Sequence, residues 1–256
     1  MIKELWQYVS TSTELPVAKE MGFLKEAIEM EARASRCQQS WSAHYQNCQK
    51  AIISAANRSL QKRTVLVLGA GSLNDVPLGV LSKQFEKVIL VDLVFLKSAR
   101  RLAAQFGNID LVEHDITESL KWIVNGQPLV QAPDAWLNND EIDLVVSLNL
   151  ITQLPLIPAR WLINEFDLPE VDADVIGKQL IFAHLHYLRM FHGEVCLIAD
   201  RTGIEFDAQG NETDRFDPWW DVEPPKPEQS WEWGIIPLGE ERRNMGQKNL
   251  VAVSML

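Results

Sequence analysis

The sequence predicts an α/β protein whose core is a seven-stranded, mostly parallel sheet with an antiparallel last strand. Three observations carry that expectation. From residue 64 onward, short apolar runs that read as strands buried on both faces alternate with helical stretches. Four of these runs end in glycine, acid or amide residues, placing polar groups at one edge of the sheet. Finally, two strands close the sequence with no crossover helix between them, which calls for an antiparallel partner.

The first run, Thr64 to Leu68, is uninterrupted by polar residues and leads into Gly69-Ala70-Gly71-Ser72. Two glycines there allow a tight turn and let the backbone approach a ligand with no Cβ in the way. Asp75 is placed to cap a new helix, and Pro77 suits its first turn, where a missing N–H costs nothing. Strand, glycine turn and helix start together predict a nucleotide-type binding loop.

Later units repeat the arrangement. The run Lys87 to Asp92 ends in a carboxylate about one βαβ unit beyond the glycines, where an acid commonly accepts hydrogen bonds from a ribose. Phe95 to Phe106 reads as a helix stopped by Gly107-Asn108. Ile109 to Asp115 is the third strand and Asp143 to Asn149 the fourth, so Gly69, Asp92, Asp115 and Asn149 all fall at carboxyl ends. Helix resumes at Ala159, and Glu165 to Asp174 reads as an acidic surface connection before a helix over Val175 to Phe191. Gly193 to Asp200 is the fifth strand, and Ile204 to Glu212 a hairpin or flap around Gly210-Asn211. The proline-rich stretch Pro218 to Pro227 follows, then strands at Trp231 to Ile236 and Asn249 to Leu256.

Residues 1–63 precede the sheet and are expected to form an N-terminal helical cap, with residues 64–256 as the main domain. One amphipathic helix is expected over Pro16 to Arg36 and a second from about Arg36 to Leu60. The second carries Trp41, Tyr45, Cys48, Ile52 and Ala55 on one stripe. Arg36, Trp41, His44 and Tyr45 form a polar–aromatic cluster there, either a half-buried packed face or a set of substrate contacts.

Composition narrows the partners. With 256 residues, 46% of them hydrophobic, the chain can bury an ordinary core. A formal net charge of -11 argues against a nucleic-acid duplex. No apolar run reaches membrane-spanning length and the first residues do not read as a signal peptide, so a cytoplasmic protein is expected. Cys37, Cys48 and Cys196 lack CxxC spacing and are expected to be reduced thiols. His184 and His186 point in different directions on a helix, and no metal site is expected.

From Thr64 to Leu256 this order of elements and motifs resembles the class I S-adenosylmethionine-dependent methyltransferases. The runs Gly-Ala-Gly-Ser-Leu-Asn-Asp-Val-Pro-Leu and Asn149-Leu150-Ile151-Thr152-Gln153-Leu154-Pro155 look like a bacterial branch of that superfamily. The resemblance implies a Rossmann-like sheet and S-adenosylmethionine as cofactor. Gly69, Ala70, Gly71, Ser72 and Asp75 would then lie along its methionine part, Asp92 and Leu93 at the ribose, and Asp115 and Ile116 at the adenine. Ser147, Leu148 and Asn149 would lie under the sulfonium. The sequence departs from the superfamily pattern at Val67, where an acid is usual, and at Leu73, where a third glycine is usual.

In-line methyl transfer to oxygen or nitrogen of a small molecule is the implied reaction. His44, Asn149 and Asp200 are the candidate catalytic residues, with Arg36, Trp41, Tyr45 and Gln153 as substrate contacts. Two alternatives remain. One is a protein of this fold that binds the cofactor without catalysis; the other is an NAD-type enzyme, against which the incomplete Gly-x-Gly-x-x-Gly pattern counts, with Asn74 in its third place.

Overall fold

The computed structural model describes residues 2–256. Five strands run parallel: β1 (Thr64–Leu68), β2 (Lys87–Asp92), β3 (Ile109–Glu113), β4 (Ile142–Leu148) and β5 (Glu194–Asp207). Three more follow: β6 (Glu212–Phe216), β7 (Gln229–Ile236) and β8 (Met245–Met255). The sheet order is β3-β2-β1-β4-β5-β8-β7, with β6 paired to β5 off that path. The final strand β8 is antiparallel to both β5 and β7, which lie on either side of it. The expected reversal at the end of the chain is therefore present, and β6 is an eighth strand.

All five residues of β1 are buried, because β1 has strands on both sides and helices on both faces. Val65 and Val67 join a core with α4 (Gln38–Arg58), α5 (Leu78–Gln84) and α6 (Lys97–Ala103). Leu66 and Leu68 join the opposite core, with Ile181, Leu185 and Leu188 of α9 (Glu170–Leu188) and Trp219. Burying a Val or Leu side chain contributes about 1.5–3 kcal/mol, so this strand anchors both layers.

Above the carboxyl ends of β2, β3 and β4 lie α1 (Ile2–Ser10), α2 (Pro16–Glu20) and α3 (Phe23–Arg36). Met21, Val17 and Phe23 pack on Leu93, Leu120, Ile123, Leu154 and Ile157, all from the loops and short helices that follow those strand ends. Ala18, Leu24 and Ile28 pack on Val94 and Leu96. The Glu14 N–H donates to Glu113 at the end of β3 at 2.6 Å.

Several boundaries differ from expectation. The helix expected over Pro16 to Arg36 breaks at Met21-Gly22, where Gly22 takes φ 93°, a left-handed value that a helix interior does not accept. Asp75 does not cap the following helix: α5 begins at Leu78, with Pro77 at its N-cap and no side-chain cap bond. The Asp75 carboxylate instead accepts from Asn149. The acidic stretch read as a surface connection becomes the start of α9, because Glu170 and Asp172 suit the positive end of a helix. The fifth strand and the first arm of the hairpin are one strand, β5, with a register shift between Asp200 and Thr202.

Candidate active site

The glycine loop leaves β1 with Gly69 at φ 80° and Gly71 at φ 49°. These two glycines serve different needs. A Cβ on Gly69 would lie 2.7 Å from Leu148 O and 2.8 Å from the Leu150 Cβ, so the β4 end itself demands glycine there. At Gly71 a Cβ would meet only Asp92 Oδ2, at 3.7 Å, which leaves the space in front of that carboxylate clear. The Gly71 N–H donates to Asp92 Oδ2 and the Leu93 N–H to Asp92 Oδ1, each at 2.8 Å. Asp92 is half-buried, and burial pushes its carboxyl up to about 6 against these donors. Leu73, at the place of the usual third glycine, takes φ 65° with its side chain buried. It adopts a glycine-like backbone in spite of its Cβ.

Asp115 turns inward to its own loop. It accepts from Thr117 N at 3.0 Å, Thr117 Oγ1 at 2.7 Å and Leu120 N at 2.8 Å, thereby holding the start of α7 (Leu120–Ile123). Ile116 and Leu148 are buried, Ala70 is buried, and Ser72 is exposed. Ser147 shares a 3.0 Å hydrogen bond with His184, on the α9 side of the sheet. Burial lowers the His184 pKa to about 3, so that ring is neutral.

On the other side, under α4, a second group of polar residues meets the carboxyl ends of β4 and β5. Asn149 follows β4 with φ 49°, and its N–H donates to Ile198 O at 2.8 Å. Its side-chain Nδ2 lies 3.0 Å from Asp75 Oδ2, 3.3 Å from His44 Nε2 and 3.8 Å from Cys48 Sγ. His44 stacks on Trp233 with ring centroids 3.8 Å apart and planes 9° apart. Trp231 donates its indole N–H to His44 Nδ1 at 3.2 Å. Trp41 packs edge-on against Trp233 at 5.3 Å and donates to Ile235 O at 3.1 Å. Desolvation drives the His44 pKa down to about 3 and those of Asp75 and Asp200 up to about 6. Asp200 is 3% exposed and hydrogen-bonded to Asn249, while its Oδ1 has no partner among the described residues.

Of the residues singled out in the sequence, His44, Asn149, Trp41 and Tyr45 thus stand together, and Asp75 joins them. Asp200 lies on the same side, close enough for its charge to act on Cys48. Arg36 does not reach the group; it is ion-paired with Glu240 at 2.6 Å on the surface. Gln153 is exposed in the turn after β4. Two residues were missed. Glu113 is buried at the end of β3, where it accepts from Glu14 N, Phe95 N and Arg100. Cys48 faces His44 across one helical turn, and the i, i+4 spacing of His44 and Cys48 was the available signal.

The strand order, the antiparallel β8 beside β5 and the glycine loop at the switch between β1 and β4 match the Rossmann-like fold of the class I methyltransferases. No protein-family model and no curated protein matches the chain. Among solved structures it is similar to the N-methyltransferase NodS of Bradyrhizobium japonicum WM9 bound to S-adenosyl-l-homocysteine, at 10% identity and a TM-score of 0.38 over 81% of this chain and 86% of that one. It is also similar to the Burkholderia thailandensis 1,6-didemethyltoxoflavin-N1-methyltransferase, at 13% identity and a TM-score of 0.37 over 87% of each chain. A third is DhpI in complex with SAH, at 11% identity and a TM-score of 0.40 over 88% of this chain and 93% of that one. Among the described residues, no helix is long and apolar enough to cross a membrane.

Proposed function

We propose that this protein is an S-adenosylmethionine-dependent methyltransferase that acts on oxygen or nitrogen of a small molecule. The observation that carries this reading is the Gly71–Asp92 pair at the carboxyl edge of a sheet whose five parallel strands are closed by an antiparallel β8. A half-buried carboxylate with a glycine before it fits the hydroxyls of a ribose, since no Cβ fills the intervening space. Gly69, Ala70, Gly71, Ser72, Asp75, Asp92, Leu93, Asp115, Ile116, Ser147, Leu148 and Asn149 remain the proposed cofactor positions. Asp92 would act directly, whereas Asp115, already given three donors by its own loop, would act by holding that loop in shape.

When bound, the sulfonium supplies both the methyl group and its leaving group. The chain's part is to align the acceptor and to take up a proton where the acceptor must lose one. Asp200 suits proton uptake better than His44. A carboxyl held near 6 is charged at neutral pH yet basic enough to accept a proton, whereas a ring held near 3 is a poor base. Asn149, fixed by Asp75, would orient the acceptor. Of the proposed 1–63 cap, α2 and α3 pack over the strand ends and would exclude water, whereas α4 packs as a layer on the sheet face. A small-molecule acceptor in the cytoplasm, rather than nucleic acid, accords with the net charge of -11.

A second reading, cofactor binding without turnover, draws support from Leu73 and from the tight stacking of His44 on Trp233. Calorimetric titration with S-adenosylmethionine, S-adenosylhomocysteine and NAD, repeated on Asp92→Ala, tests both. Micromolar binding of the first two, weakened at least ten-fold (about 1.4 kcal/mol) in the variant, is the expected outcome. Binding of NAD alone overturns the reading. Cofactor binding with no methyl transfer to any amine, hydroxyl or thiol acceptor in a screen favours the non-catalytic form.

A further inference from the structure

Cys48 has no part in methyl transfer as proposed, yet its sulfur faces a point on which three ligand-type side chains converge. His44 and Cys48 are one turn apart on the same face of α4. His44 Nε2 and Cys48 Sγ are 3.6 Å apart. Two ligands of a tetrahedral zinc ion, with nitrogen at about 2.0 Å and thiolate sulfur at about 2.3 Å, stand about 3.5 Å from each other. The helix therefore presents the pair at the separation that a shared ion imposes. Asp75 reaches the same point from the loop after β1, and one ligand atom from each of the three residues lies within 4.8 Å of the others.

That point is held by the Asn149 amide nitrogen, which faces Asp75 Oδ2, His44 Nε2 and Cys48 Sγ at 3.0, 3.3 and 3.8 Å. The Asn149 Oδ1 is buried and has no partner among the described residues. A half-turn of this amide exchanges a nitrogen that can only donate for an oxygen that can ligate. We propose that His44, Cys48 and Asp75, with Asn149 Oδ1 as fourth donor, form a buried site for a divalent transition-metal ion of the zinc class. The choice of ion follows from the donors: imidazole and thiolate select zinc and its neighbours over magnesium or calcium.

Charge supports the assignment. A neutral imidazole, a thiolate and a carboxylate carry two negative charges, which a divalent ion cancels, so the loaded site adds no net charge to an apolar layer. His44 is 2% exposed and Cys48 0%, while half-buried Asp75 leaves a route from solvent. Because the thiolate is the ligand form of cysteine, loading releases the thiol proton to solvent. Trp231 acts in the opposite direction. An indole N–H only donates, so its bond to His44 Nδ1 places the ring proton on Nε2, the atom that must face the ion. Loading moves that proton to Nδ1 and turns Trp231 away.

The test is titration of the full, chelator-treated chain with Co(II), followed by absorption. One equivalent is expected to give a thiolate-to-cobalt charge-transfer band in the near ultraviolet and visible bands of tetrahedral intensity. Both are expected to survive the double substitution Cys37→Ser/Cys196→Ser, which assigns the sulfur even if Cys48→Ser fails to fold. In a folded Cys48→Ser the charge-transfer band disappears. Trp231→Phe removes the opposing donor and is expected to tighten cobalt binding about five-fold, the effect of one neutral hydrogen bond. No charge-transfer band in the parent chain, its loss in the double variant, or its survival in Cys48→Ser overturns the site. Unchanged or weaker binding by Trp231→Phe overturns ligation through Nε2. Cobalt binding and S-adenosylmethionine binding are separate readouts, so either proposal can fail alone.

Discussion

Replacing Asp200 with Asn gives a stability change whose dependence on pH follows from one buried carboxyl. Asp200 is 3% exposed, and desolvation raises its pKa from 3.8 to about 6. A carboxyl with a raised native pKa binds more protons folded than unfolded between those values, so wild-type stability falls as pH rises from about 4 to 6 and then levels. At 1.36 kcal/mol per pKa unit, a rise of about 2 units amounts to about 3 kcal/mol. Asp200→Asn removes this share at every pH. It also places an amide nitrogen where Oδ1 has no partner, which costs about 1–3 kcal/mol independently of pH. Urea denaturation of both proteins at pH 4 and pH 7.5 separates the two effects. Because pH 4 already lies just above the unfolded pKa, the variant is expected to gain about 2 kcal/mol on the wild type between these pH values, whatever their order at pH 4. A difference that stays constant within about 0.5 kcal/mol, or that moves in favour of the wild type, refutes the claim that Asp200 titrates high in the folded state. The same variant bears on function, since an acceptor that needs a base would lose turnover while cofactor affinity stays unchanged.

Leu73→Ala and Leu73→Gly both remove a buried side chain at φ 65°, but only glycine relieves the left-handed backbone. Chemical denaturation is therefore expected to find Leu73→Gly more stable than Leu73→Ala by about 1 kcal/mol, the reverse of their order in a helix; the opposite ranking would show that Leu73 is unstrained. Trp233→Ala, which deletes a side chain 7% exposed between His44 and Trp41, is expected to lower stability by about 3–5 kcal/mol. A loss below 1 kcal/mol would mean that these rings do not form one packed unit.

What could be read from the sequence shares a physical basis: each such feature is encoded within a few residues. The unbroken apolar run Thr64–Leu68, the glycines after it and the acid that ends Lys87–Asp92 are local patterns, and they appear where expected at the carboxyl edge. Helix α4 is equally local, since its stripe Trp41, Cys48, Ile52 and Ala55 is the buried face. The two closing strands implied a reversal because no helix separates them. By contrast, Gly22 reads as one weak residue in a long amphipathic stretch, and only the need of α2 and α3 to cover separate loops shows why the chain breaks there. Arg36 looked like part of the aromatic cluster from its spacing, yet its charge finds Glu240, 204 residues away, at the surface. Asp75 had the sequence of a helix cap, but the loop turns its carboxylate toward Asn149. The meeting of His44, Cys48, Asp75 and Asn149 involves one helix, one loop and one strand end, and only closing the sheet in the order β1-β4-β5-β8-β7 brings them together. Sequence determined the secondary elements and the edge at which chemistry gathers, because those depend on near neighbours. Tertiary structure decided which polar groups face one another and how their protons are held, because burial and partner distance exist only once distant segments pack.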